Sequence, residues 1–174
     1  MLTIRQANIK DKNSVLKFYE ELIDQIKDNK YTPQWENGVY PKKENIIKSI
    51  KSNEMYIGEK DSKLVCAMVL DHNANKGYEN IQWLTDVDFN DVYVIHLLAV
   101  KPEYNHQGFA KQLLNFAFDK AKNEGMKSIR LSIMKDNVPA ERLYQKKGFE
   151  YVGSMEVYDE DRGLKCFNVG EKII

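Results

Sequence analysis

The stretch Val92-Tyr93-Val94-Ile95-His96-Leu97-Leu98-Ala99-Val100 is apolar at both parities: Val92, Val94, Leu98 and Val100 fall on one face of a strand, Tyr93, Ile95, Leu97 and Ala99 on the other. A strand buried on both faces lies in the middle of a sheet covered from both sides, so the rest of the chain must supply helices for both. Lys101-Pro102 ends the strand. After Glu103 to Gln107 a helix begins near Gly108, presenting Phe109, Leu113, Phe116, Ala117 and Ala121 until Gly125 stops it.

The remaining elements follow from the same patterning. Leu2 to Gln6 alternates as a short strand, and Asp11 is placed to cap a helix with Val15, Phe18, Tyr19, Leu22, Ile23 and Ile26 on its apolar side. Asp28 to Pro41 reads as an aromatic-rich loop, followed by a helix with Ile46, Ile47 and Ile50 on one face. Met55 to Glu59 and Leu64 to Leu70 form a hairpin across Lys60-Asp61-Ser62-Lys63, and His72 to Asn90 is a long polar connection with room for a short strand or turn. Ile129 to Met134 is a strand. Asn137-Val138-Pro139 opens a helix that Gly148 ends, and Phe149 to Val157 and Lys165 to Val169 are two last strands joined through Asp161-Arg162-Gly163. Strand, two helices, three strands, helix, strand, helix and two strands describe an α/β layered domain with a mixed sheet. At 174 residues without internal repeat or linker, one domain spanning 1–174 is expected.

Composition narrows the function classes. Lys+Arg and Asp+Glu are equal at 26 each, so no basic field attracts nucleic acid, and Arg5, Arg130, Arg142 and Arg162 are the only planar forks for phosphate. A phosphate site in this chain should therefore lean on backbone amides. Cys66 and Cys166 sit in short apolar stretches with no second Cys or His at ligand spacing, which reads as buried reduced thiols. His72 and His106 fit solvated loops better than metal ligation, so no metal is expected. No export signal or span of about 18 apolar residues occurs, which makes the cytoplasm the default and a membrane partner unexpected.

The junction from Leu97 to Lys111 carries the chemistry. A central strand ends where a helix N-terminus aims unpaired N–H groups and the positive end of its dipole at one spot. Gly108 and Ala110 remove bulk, so a pyrophosphate can approach the amides of Gln107 to Lys111, while the end of the strand offers main-chain groups to an extended ligand. Asn105-His106-Gln107-Gly108-Phe109-Ala110 resembles the acetyl-CoA loop of the GCN5-related N-acetyltransferase (GNAT) family, Gln/Arg-x-x-Gly-x-Gly/Ala, with Asn105 departing at the first position. Asn137 to Phe149, Asn-Val-Pro-Ala-Glu-Arg-Leu-Tyr-Gln-Lys-Lys-Gly-Phe, is similar to the family's Asn-x-x-Ala-x-x-Leu-Tyr-x-x-x-Gly-Phe helix. Two motifs in the right order are far more specific than one.

The resemblance implies a mostly antiparallel mixed sheet, helices on both faces, and a V-shaped split between two parallel central strands. It further implies acetyl-CoA as the cosubstrate, with the pantetheine arm along the main chain of Leu98, Ala99 and Val100, the pyrophosphate on His106 to Lys111 (His106, Gln107, Gly108, Phe109, Ala110, Lys111), and Asn137 at the pantetheine or capping the helix. A free ammonium, pKa about 10.4, cannot attack a thioester, so a base or a site favouring the neutral amine is needed. His96 is the candidate base, with a buried histidine bonded to backbone as the equal alternative. Tyr144 is the candidate acid beside the leaving thiolate, the alternative being a packing tyrosine. Direct attack by the amine requires no covalent intermediate, which leaves Cys66 and Cys166 without a nucleophilic task.

For the acceptor, the aromatic residues Trp35, Tyr40, Trp83 and Tyr93, with Tyr31, are expected to wall a pocket suited to an alkyl or cationic amine. Glu79, Asp86, Asp88 and Asp91 point the same way only if they are more than solvated loop acids. A small-molecule amine is the expected acceptor. A protein N-terminal or lysine acetyltransferase, which needs an open groove, and a non-catalytic acyl-CoA-binding module are the alternatives. A homodimer is compatible with a sequence that says little about assembly. The absence of Gly-x-x-x-x-Gly-Lys-Ser/Thr and Gly-x-Gly-x-x-Gly sets aside P-loop and dinucleotide-binding enzymes.

Overall fold

The doubly apolar stretch is β4 (Val92–Val100), the middle strand of a seven-stranded sheet in the order β1-β2-β3-β4-β5-β7-β6. A computed structural model describes residues 1–174. The other strands are β1 (Thr3–Gln6), β2 (Met55–Lys60), β3 (Lys63–Asp71), β5 (Ser128–Met134), β6 (Glu150–Asp159) and β7 (Gly163–Ile173). The helices are α1 (Lys12–Ile26), α2 (Lys43–Lys51), α3 (Phe109–Asn123) and α4 (Val138–Lys146). Neighbours β1–β2, β2–β3, β5–β7 and β7–β6 run antiparallel. β4 and β5 are parallel, and their ladder holds only Val92↔Ser128, Tyr93↔Ile129 and Val94↔Arg130 before pairing stops. This early end of the ladder, with both strands running on, is the split expected in a GNAT sheet.

The chain divides into two compact units, with β4 and α3 passing from one into the other. The first comprises Met1–Lys30, Gln34–Leu70 and His96–Phe116. Its core is the predicted face of α1 (Val15, Phe18, Tyr19, Leu22, Ile23) against Ile46 and Ile50 of α2 and Met55, Ile57, Ala67, Val69 and Ala99 of the strands. The hairpin β2–β3 turns on Asp61 and Ser62, both left-handed at φ 50° and 62°, which matches the twist of the flanking strands. The second unit comprises Tyr31–Pro33, Asp71–Ile95 and Ala117–Ile174, with Tyr78, Val94, Met155 and Val169 in one of its buried clusters.

Several expectations are corrected. Asp11 does not cap α1 with its side chain: Asn8 caps a 3-10 turn at Ile9–Asp11, and the Asp11 carboxylate accepts two bonds of 2.8 Å from Arg5. Of the short strand or turn for which the connection His72 to Asn90 had room, it holds turns, the 3-10 turns Tyr78–Asn80 and, at its end, Phe89–Asp91. The last strand, expected over Lys165 to Val169, is β7 and runs to Ile173, with Glu171 fully buried against Arg130 of the neighbouring strand. Cys66 is buried, but Cys166 is only half-buried.

Candidate active site

β4 does not alternate without interruption. Leu97 lies at φ 52°, a left-handed conformation that costs an L-residue roughly 1–2 kcal/mol and turns its peptide groups out of the regular ladder. The buried Tyr19 of α1 donates its hydroxyl to the Leu97 carbonyl at 2.7 Å, satisfying the acceptor that the irregular backbone displaces. Burial pushes the Tyr19 phenol well above its ordinary range, so it remains a donor. In the sequence Tyr19 is one more apolar-face position of α1, and the only signal of its task is a hydroxyl on an otherwise hydrocarbon stripe. Tyr19→Phe should leave the Leu97 carbonyl unsatisfied and cost about 1–3 kcal/mol in urea unfolding, with faster amide exchange at Leu98. Unchanged stability and exchange would mean that the hydroxyl does not hold this segment.

Beyond Leu98, Ala99 and Val100 the chain makes a 3-10 turn at Pro102–Tyr104, then places His106 (φ 63°) and Gly108 (φ 79°) in the left-handed region on either side of Gln107. Alternation of left- and right-handed residues turns successive amides toward one side. The first helical bond here runs from the Gln112 amide to the Gly108 carbonyl at 3.1 Å, and no group of the chain accepts from the amides of Gln107 to Lys111. A Cβ on Gly108 would meet nothing within 4 Å, so the loop is open on that side. Phe109 is buried and tilts against Tyr104 with centroids 6.1 Å apart, so only its backbone is available to a ligand. His96 is half-buried on β4.

In the second unit, Tyr144 packs edge-on against Phe149, centroids 5.6 Å apart, and its hydroxyl has no partner in the chain. It lines a cavity of about 580 Å³ floored by Leu131, Ile133 and Val169 and rimmed by Glu141 and Asn168, which bond each other at 2.5 Å. Burial raises the Tyr144 phenol, which therefore stays protonated at neutral pH: it can give a proton or a hydrogen bond and is a poor base. Asn137 stands at the N-cap of α4 without a side-chain capping bond, leaving its amide uncommitted to that task.

Of the aromatic residues expected around the acceptor, Trp35, Tyr40, Trp83 and Tyr93 each have contacts within their own unit. Trp35 packs on the α1 core, edge-on to Tyr19 at 6.0 Å, and Tyr40 closes a backbone bridge with Glu36 through bonds of 2.8 and 2.9 Å. Trp83 donates to the Tyr78 carbonyl at 3.2 Å and stacks over the Arg130 guanidinium at 4.2 Å. Tyr93 is buried, stacks on His72 at 4.7 Å and bonds the Glu124 carboxylate. The loop acids serve local backbone where they bond at all: Glu79 accepts from the Gly77 amide and Asp88 from that of Asn90. Burial pushes the Cys66 thiol up to about 12, outweighing the Gly58 backbone bond that lowers it, so no thiolate forms there at neutral pH. No three His, Cys, Asp or Glu side chains stand together as a metal site, and no helix is long and apolar enough to cross a membrane.

A parallel strand pair that parts early and a helix N-terminus with open amides directly after its central strand define an acyltransferase-type α/β fold. Residues 19–149 match the Acetyltransferase (GNAT) family, and the chain belongs to that family. It is 30% identical over 121 residues to GCN5-related N-acetyltransferase 6, chloroplastic, of Arabidopsis thaliana, a match covering 68% of this chain and 36% of that protein. The chain spans about a third of the length of the curated relatives it matches. Among solved structures, a GNAT-family acetyltransferase from Streptococcus agalactiae 2603 superposes with TM-score 0.81 at 21% identity, covering 99% of this chain and 95% of the other. The ribosomal-protein-S18-alanine N-acetyltransferase of Escherichia coli superposes with TM-score 0.70 at 16% identity, covering 100% and 94%. Both structures share the fold.

Proposed function

We propose that the chain moves an acetyl group from acetyl-CoA to the primary amine of a small molecule, by direct attack in a ternary complex. The observation that carries this reading is the left-handed pair His106 and Gly108, which leaves the amides of Gln107 to Lys111 without partners in a chain of the GNAT family. Those amides would hold the diphosphate, and the main chain of Leu98, Ala99 and Val100 would run beside the pantetheine, with Asn137 as a further contact. The thioester supplies the activated acetyl group; the chain's own work is orientation and proton handling. His96 would take the proton of the attacking amine. Tyr144 would donate to the leaving sulfur, whose thiol pKa is about 8.5, a transfer that a phenol kept protonated by burial can make. Trp35, Tyr40, Trp83 and Tyr93 remain the aromatic candidates for the acceptor side, and a cytoplasmic, single-domain enzyme without metal completes the reading.

The test is a panel of small amines and short peptides incubated with acetyl-CoA and read by free-thiol release. Turnover of a small amine with weak or no turnover of peptides supports the reading, and the reverse pattern makes this a protein acetyltransferase. With a good acceptor in hand, Tyr144→Phe should lower kcat about a hundredfold while shifting KM little, the signature of an interaction made in the transition state. An unchanged kcat would remove Tyr144 from the chemistry.

A further inference from the structure

The turn between β4 and α3 has one charged neighbour that the proposed reaction leaves without a role. Lys60, the last residue of β2, donates from Nζ to Gln107 Oε1 at 3.0 Å, and the same ammonium stands 5.8 Å from the centre of the Tyr104 ring and 5.7 Å from that of Phe109. All three partners belong to the turn and its helix start, and all three are neutral. No carboxylate lies within ion-pair distance of Lys60. Its acidic neighbours are otherwise placed: Glu59 is bound to Arg5 at 2.9 Å, and Asp61 and Glu103 are exposed. Lys101 of the same unit, by contrast, is paired with Glu21 at 2.8 Å. An ammonium held by an amide oxygen and two ring faces is fixed in position with its charge uncompensated, and it borders the five amides that lack acceptors. A second positive group beside converging N–H donors adds a point charge to a backbone cradle, which is how a lysine complements phosphate.

We propose that Lys60 is a phosphate anchor for the acyl-coenzyme A, exchanging the Gln107 oxygen for a phosphate oxygen when the ligand binds. The inference rests on the reading that residues 107–111 hold the diphosphate. It also fits a chain whose four arginines include none in this turn, so that its phosphate contacts fall to amides and lysine.

The test measures binding of coenzyme A and of 3′-dephospho-coenzyme A by calorimetry, and KM for acetyl-CoA and for S-acetylpantetheine, which carries no phosphate, in Lys60→Met and Lys60→Arg. Lys60→Met should weaken coenzyme A about tenfold and flatten the salt dependence of binding, Lys60→Arg should recover most of the loss, and S-acetylpantetheine should be unaffected. A loss shared by the dephospho ligand assigns Lys60 to the diphosphate, and one confined to coenzyme A assigns it to the 3′-phosphate. Coenzyme A affinity within twofold of wild type in Lys60→Met, or an equal loss on S-acetylpantetheine, overturns the proposal. If wild-type protein binds coenzyme A no better than pantetheine, the loop reading itself fails and Lys60 falls with it, an outcome the Lys60 variants alone cannot mimic.

Discussion

Gly108→Val should abolish measurable coenzyme A binding while the protein stays folded. Two effects act together. At φ 79° the backbone is in a region that a β-branched residue enters only with strain, roughly 1–2 kcal/mol or more, and relief of that strain would rotate the amides that the left-handed turn aims at one spot. The added side chain would also project into open space, because a Cβ there meets no atom of the chain within 4 Å. That space is where the proposed diphosphate would sit against the amides. Hydrogen bonds to a charged group contribute about 1.5–3 kcal/mol each, so the loss of two or three, about 3–9 kcal/mol, amounts to a hundredfold or more in Kd. The unfolding midpoint should move by only a few degrees, since the substitution displaces no packed group. Gly108→Ala, with less bulk and the same sign of strain, should fall between. Calorimetry with coenzyme A reads both variants, and wild-type affinity in Gly108→Val would mean that the phosphates are held away from this turn.

The sequence and the structure agree where a local pattern is sufficient and part where a distant residue decides. β4 is legible to the residue because eight apolar residues in nine positions, broken only by His96, fit a strand buried on both faces, and its Pro102 stop is equally local. The α1 face is legible from spacing alone. The turn at His106–Gly108 is legible in part: Gly108 marks one left-handed residue, while nothing about a histidine announces the other. Leu97 is illegible. A leucine inside an apolar run gives no local reason to leave the extended region, and its conformation is tied to a tyrosine hydroxyl 78 positions away. Lys60 is hidden for the same reason, since its contact to Gln107 spans 47 positions and a hairpin-end lysine is ordinarily just solvated. The contacts of the acceptor-side aromatics are equally hidden. Trp83 and Tyr93 read as pocket walls because they are aromatic and near polar sequence, and spacing does not reveal that the first stacks on a buried guanidinium and the second bonds the carboxylate of an exposed Glu124.

Arg130→Met should destabilise the protein by about 3–5 kcal/mol at neutral pH, and the loss should shrink as the pH is lowered toward 4. Arg130 is 1% exposed and Glu171 is fully buried; Arg130 Nε donates to Glu171 Oε1 at 2.9 Å and Nη2 to the Thr85 carbonyl at 2.7 Å. Ser128 Oγ and Thr85 Oγ1 donate to the same carboxylate at 2.6 and 2.5 Å, and the Leu84 amide donates to its second oxygen at 2.5 Å. The network thus ties β5, β7 and the 83–89 connection, whose Trp83 and Phe89 rings cover the guanidinium at 4.2 and 5.0 Å. Burial pushes the Glu171 carboxyl up, but the Ser128, Thr85 and Arg130 bonds outweigh it and hold the group below the usual carboxylate range. A carboxyl depressed in the folded state stabilises the wild type above the unfolded pKa, about 4.3, and that contribution is lost as the pH falls through the lower folded value. Without Arg130 the same carboxylate is buried with hydroxyl and amide partners only, and its pKa rises. Protonation then relieves the variant in acid while it harms the wild type, so the two urea-unfolding profiles against pH should converge. Arg130→Met combined with Glu171→Gln should recover part of the loss at neutral pH, because no bare charge is left inside. A difference between wild type and Arg130→Met that is independent of pH would mean that the guanidinium acts by filling space between Trp83 and Phe89 and not by neutralising Glu171.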